Sequence, residues 1–284
     1  MDRRNFLAEL TKIAAASGVA LSAQAGEPAA APPSMPTIAL GPHRISRLVV
    51  GSNPINGYSY LGPHVDQHMR EYFTLDQSVE FLLACERAGI TAHQFSTGTG
   101  KCEGILKKAR ERGCKMNFLC LHGRREDIKQ VVDETRPIAV VHHGGATDRL
   151  FSEGKSQRVL DFVKAVHDQG VLAGVSAHNP DCIRRVADEG WPVDLFMTCF
   201  YFVTRKSFPK PGETFPPSET LELVYPFYRK DPDAMTAVVR QVKQPCLGFK
   251  ILAAGRMCAD QNTVKGAFRY AFANIKPSDG VIVG

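Results

Sequence analysis

Histidine and lysine recur in this chain where short apolar runs stop. The runs end in Ser52-Asn53-Pro54, His93-Gln94, His122, His142-His143, His178-Asn179, near Tyr201, and in Lys250 followed by Arg256. Imidazoles exchange protons near neutral pH, and a nearby Lys or Arg stabilises the oxyanion that proton transfer creates. His93, His142, His178 and Lys250 are therefore the candidate catalytic residues. Asn53, Gln94, Asn179, Tyr201 and Arg256 are the candidate substrate contacts. The same three imidazoles are also candidate ligands for Zn²⁺ or another divalent ion with an open coordination position, although no HxH or HExxH spacing supports this. Lys250, closing an apolar strand, suits a Schiff base as well, or a plain ion pair. Successive strand residues point to opposite faces, so only one of His142 and His143 can face a shared interior. His122 reads as structural.

These residues need elements that bring them to one place. The apolar runs read as eight buried parallel strands over 47–51, 91–95, 115–121, 138–142, 172–176, 195–199, 246–250 and 281–283. Amphipathic helical stretches alternate with them. Thr74-Leu75-Asp76-Gln77 is a capping box, and Asn179-Pro180 and Asp231-Pro232 each place a cap before a proline. Gly89, Gly113, Gly170 and Gly190 stand where helices close. Eight such repeats without a GxGxxG turn predict an α/β TIM (β/α)8 barrel over 37–284, whose reacting groups stand at the C-terminal strand ends. The sequence stops at Gly284, directly after the eighth strand, so a barrel apparently lacking its eighth helix is expected. Either a partner covers that seam or the reading frame is truncated, the reading we favour.

Arg3-Arg4-Asn5-Phe6-Leu7 precedes a weakly apolar stretch to Ala23-Gln24-Ala25, the pattern of a twin-arginine signal peptide over 1–25 with an Ala/Pro-rich linker over 26–36. The stretch is too short to span ~30 Å of hydrocarbon, so no permanent membrane anchor is expected. The expected location is periplasmic or secreted, and the expected partners are the twin-arginine export machinery and a small-molecule substrate. A formal charge of +6 partly belongs to Arg3, Arg4 and Lys12, and the remaining cations are scattered, so nucleic-acid binding is not expected. None of the eight cysteines forms a CxxC pair, and buried free thiols are expected, with Cys102 and Cys114 the one pair to check. The segment 200–230 interrupts the repeat with aromatics and prolines. It reads as a lid or binding loop, with Ile55 to Tyr60 as a second rim loop.

Ile45-Ser46-Arg47-Leu48-Val49-Val50-Gly51, Ala88-Gly89-Ile90-Thr91-Ala92-His93-Gln94 and Val140-Val141-His142 together resemble the aldo/keto reductase superfamily in order and spacing. The resemblance implies a TIM barrel and NADP-dependent carbonyl reduction by an Asp, Tyr, Lys, His tetrad. Gln94 and Thr99 stand where the Asp and Tyr belong, Cys120-Leu121-His122 offers no lysine, and only His142 is matched. Without the proton-donating Tyr, reduction by that route should fail, and NADP is less expected than a divalent metal. The function expected is exported, histidine-centred lyase, isomerase or hydrolase chemistry on a small carbonyl or carbohydrate substrate. An NADP-dependent reductase with a rearranged tetrad, and an inactive sugar- or partner-binding barrel, are the alternatives.

Overall fold

The computed structural model describes residues 35–98, 101–205 and 225–284. The expected signal peptide, Thr99 and the middle of the 200–230 loop lie outside these residues. Two short strands come first, β1 (Thr37–Leu40) and β2 (His43–Ser46), paired antiparallel. β3 (Leu48–Gly51), α1 (Asn53–Asn56), α2 (Pro63–Tyr72), α3 (Leu75–Arg87), β4 (Ala92–Ser96), α4 (Cys102–Glu111) and β5 (Asn117–His122) follow. The middle of the chain forms α5 (Ile128–Thr135), β6 (Ala139–His142), α6 (Gly144–Ser152), α7 (Gln157–His167), β7 (Leu172–Ala177), α8 (Pro180–Asp188) and β8 (Leu195–Cys199). It ends with α9 (Asp231–Gln241), β9 (Cys246–Phe249), α10 (Gln261–Asn274) and β10 (Gly280–Val283).

Strands β3 to β10 close into a parallel barrel, with β10 hydrogen-bonded to both β9 and β3. This is the TIM barrel the strand spacing predicts, and no described helix follows β10. The hairpin β1–β2 was not anticipated. Ile38, Leu40 and Ile45 from it join the barrel's inner core of Val49, Ala92, Leu119, Ala139, Val141, Leu195, Met197, Leu247 and Ile282. It plugs the N-terminal end of the barrel and leaves the C-terminal end open.

The other parity of each strand packs outward. Val50, Phe95, Cys120, Val140, Val175, Phe196 and Val281 meet Leu82, Ile105, Val131, Phe162, Ile183 and Val238 of the surrounding helices. Several local signals act as the sequence predicts. Thr74 and Gln77 cap α3 reciprocally, and Asn179 accepts the N–H of Asp181 at the start of α8. Gly89 and Gly113 hold φ of 87° and 84°, a conformation that side chains with a Cβ rarely adopt. Asp231 departs from expectation. It lies inside α9, and its carboxylate takes the Phe202 N–H and the Arg205 guanidinium instead of capping the helix. Cys114 is a buried free thiol, so no bond joins it to Cys102, and Cys258 is the exposed cysteine.

Candidate active site

Alternation decides which strand-end residues reach the open end. Counting from Ala92 and Ala139, which face the inner core, Gln94, Ser96, Val141 and His143 point inward while His93 and His142 point outward. His93 Nδ1 donates to the Val50 carbonyl at 3.0 Å, and the ring meets Phe118 edge-on. His142 Nδ1 lies 2.7 Å from the Thr147 hydroxyl, with its ring edge-on to Phe162 at 4.8 Å. Both sit in the layer between strands and helices. The expected convergence of His93, His142 and His178 is therefore not formed, and with it goes the three-histidine metal site. Among the described residues no group of three His, Cys, Asp or Glu is placed to hold a metal ion.

The inward residues line a cavity of about 750 Å³ at the C-terminal end of the barrel. Its walls include Asn53, Gln94, Ser96, His143, Ser176, His178, Phe249 and Lys250, with Tyr58, Tyr60 and Asp66 from the β3–α3 connection and Arg124 after β5. Of the residues singled out in the sequence, Asn53, Gln94, His178 and Lys250 line this cavity. The mouth-facing member of the histidine pair is His143 in place of His142.

His178 is the best-positioned of these groups. Its Nδ1 donates to Asp148 Oδ2 at 2.9 Å, and the same carboxylate accepts the Thr204 hydroxyl at 2.8 Å and the His178 and Asn179 backbone N–H groups at 3.1 and 3.2 Å. Four donors fix the carboxylate, which in turn fixes the imidazole and directs Nε2 to the cavity. Burial lowers the His178 pKa, the Asp148 bond raises it in part, and the Lys250 charge lowers it again. The net is downward, so His178 is neutral at pH 7 and can accept a proton. His143 is brought to about 4, by burial first and then by the charges of His178 and Lys250. Its ring is nonetheless exposed to the cavity.

Lys250 follows β9 with φ of 59°, a left-handed conformation that costs a non-glycine residue roughly 1 kcal/mol or more. Its ammonium lies 4.4 Å from the Tyr60 ring centroid and 4.8 Å from that of Phe249, and no ion pair joins it among the described residues. Tyr60 is itself at φ 60°.

Three expected contacts lie elsewhere. Asn179 is the α8 cap. Tyr201 is buried against Phe227. Arg256 stacks on Phe227 at 4.1 Å and donates to the Tyr60 carbonyl, so it braces the rim from behind. Of the aromatic segment, Tyr225 does reach the cavity and packs edge-on against Tyr60 at 4.9 Å. Asp148 carries no signal in the sequence, because its side chain lies on α6 and meets His178 only through the fold.

No protein-family model matches this sequence, and no curated protein matches it. Solved structures do. The glycerol dehydrogenase AKR11B4 from Gluconobacter oxydans is 15% identical with a TM-score of 0.50, over 78% of this chain and 65% of that one. The present chain thus spans just under two thirds of that protein. An aldo-keto reductase from Bacillus halodurans, AKR11C1 in its holo form, is 12% identical with a TM-score of 0.55, covering 88% and 86%. A putative 2,5-diketo-D-gluconic acid reductase B is 11% identical with a TM-score of 0.51, covering 88% and 80%. All three share the parallel (β/α)8 barrel seen here. At these identities the likeness is one of fold. Gln94 lines the cavity wall, with its amide 3.5 Å from the Ser96 hydroxyl.

Proposed function

We propose that this chain is an enzyme that moves a proton at a carbon beside a carbonyl, an isomerase or lyase acting on a small carbonyl or carbohydrate substrate. The observation that carries the reading is the buried Asp148–His178 pair, which presents a neutral Nε2 to the cavity that also holds Lys250. A base held in one tautomer by a carboxylate, opposite a cation that stabilises developing negative charge, meets the needs of enolate chemistry. His178 removes the proton through Nε2. The imidazolium that forms is stabilised by Asp148, and the Lys250 ammonium faces the oxygen on which charge accumulates. Returning the proton to a neighbouring carbon, or expelling a leaving group, completes an isomerisation or an elimination. The strained backbone at Lys250 fits such a role, because strain of this kind persists where position matters.

Hydride transfer from NADPH is the second reading, favoured by the barrel's likeness to aldo-keto reductases. Against it stand Gln94 and Thr99 at the tetrad positions. Fluorescence titration with NADPH, alongside a turnover screen of small carbonyl compounds run with and without NADPH, separates the two. Turnover without nucleotide and no saturable NADPH binding are expected; low-micromolar NADPH binding with consumption of the nucleotide would replace the first reading by the second. We also assign the chain to export by the twin-arginine route, on the strength of Arg3-Arg4 ahead of its weakly apolar stretch.

A further inference from the structure

The α6 N-terminus opens on the cavity. An α-helix leaves its first N–H groups without intrahelical acceptors and carries partial positive charge there. In α6 those groups belong to Gly144, Gly145 and Ala146, since the bond from Thr147 N to the His143 carbonyl is the first to close. His143 places no side-chain cap on them and the first turn holds no acidic residue. Gly144 and Ala146 line the cavity.

A second observation points to the same spot. Ser176 is 1% exposed, lines the cavity from β7, and its hydroxyl has no hydrogen-bond partner among the described residues. A buried hydroxyl left unpaired costs about 1–3 kcal/mol, so such groups usually have a partner. A Cβ added at Gly144 would lie 2.9 Å from this hydroxyl and 3.2 Å from Cε1 of His178. Glycine there keeps the helix backbone, the free hydroxyl and the imidazole open to one another. Among the described residues the charged ones on the wall are Arg124, Lys250 and Asp66, and the Asp66 carboxylate is already taken by the Ser59 N–H and hydroxyl.

We infer that the N–H groups of Gly144, Gly145 and Ala146 and the Ser176 hydroxyl form a pocket for an oxyanion, the carboxylate or phosphate of the substrate. The inference rests on the acid/base reading for one thing only, the identity of the bound group as substrate. An anion seated there lies beside His178 and within the field of Lys250, so the carbon next to it is offered to Nε2. The substrate class narrows from small carbonyl compounds to anionic ones, such as keto acids or phosphorylated sugars.

The test reads binding alone, so it is independent of whether turnover is ever found. The full chain, labelled with ¹⁵N and deuterium, is titrated separately with inorganic phosphate and with pyruvate while amide signals are followed by NMR. Saturable shifts at Gly144, Gly145 and Ala146 are expected with at least one probe. Ser176→Ala should weaken that probe's affinity at least about tenfold, as expected for loss of a charge-assisted hydrogen bond. The probe that binds identifies the group as phosphate or carboxylate. Gly144→Ala, which fills the opening, should weaken it likewise and serves if Ser176→Ala does not fold. No saturable shift with either probe, saturable shifts confined to other parts of the protein, or unchanged affinity in the folded variant would each overturn the pocket.

Discussion

His178 Nδ1 lies 2.9 Å from Asp148 Oδ2, so a strand-end imidazole is oriented by a carboxylate from α6, the helix that leaves the neighbouring strand. The link spans 30 residues of chain and is made inside the barrel mouth. Asp148→Asn should lower turnover by roughly a hundredfold, because the amide no longer selects the productive tautomer. It should also shift the pH profile. Asp148 raises the His178 pKa against burial, so removing its charge moves the acid limb of kcat to lower pH. A profile that keeps its position would make Asp148 structural only.

Lys250→Met should do the reverse to the profile. The Lys250 charge depresses both His178 and His143, so its loss raises their pKa values and moves the acid limb upward, while turnover falls for want of oxyanion stabilisation. Measuring kcat from pH 4 to 8 checks the direction. An acid limb that moves down would place Lys250 away from the imidazoles.

The barrel is legible in the sequence because its eight strands are short, apolar and alternate with helical stretches, and capping signals such as Thr74 and Gln77 mark those helices. The facing of the histidines is not legible for the same reason. Parallel strands are buried on both faces, so Ala139, Val140 and Val141 show no alternation that tells His142 from His143. Asp148 carries no sequence signal as a partner, since only folding brings α6 beside β7. The β1–β2 hairpin did leave a trace in Gly41-Pro42 between two short runs, but four-residue strands beside an Ala/Pro-rich stretch resemble a continued linker.

The outward histidines give a prediction about stability. Burial lowers His93 to about 4 and His142 to about 3, against about 6.5 in an unfolded chain. Groups whose folded pKa is depressed favour unfolding as pH falls, because the unfolded chain binds the proton first. Stability should therefore be flat above pH 7 and fall from about 6.5 towards 4 by up to several kcal/mol. Urea denaturation across that range measures it. In His142→Gln the slope should be reduced; an unchanged slope would mean that His142 titrates normally.

Export is tested at the other end of the chain. A reporter fused to residues 1–36 should reach the periplasm by the twin-arginine route, with cleavage leaving a mature N-terminus near Gly26. Changing Arg3 and Arg4 to lysine should trap the precursor inside. Continued export of that variant would contradict the assignment.

The central claim is that His178 transfers a proton at a carbon beside a carbonyl, and isotope exchange tests it most directly. Wild-type protein and His178→Asn are incubated in deuterium oxide, without nucleotide, with a panel of small keto acids, hydroxy ketones and sugar phosphates, and deuterium at carbon is read by NMR. Wild-type protein should incorporate deuterium beside the carbonyl of at least one compound, and His178→Asn should slow this by about 10²–10⁴-fold, the usual contribution of a general base. Equal exchange by both proteins, or no exchange with any compound of the panel, would contradict it.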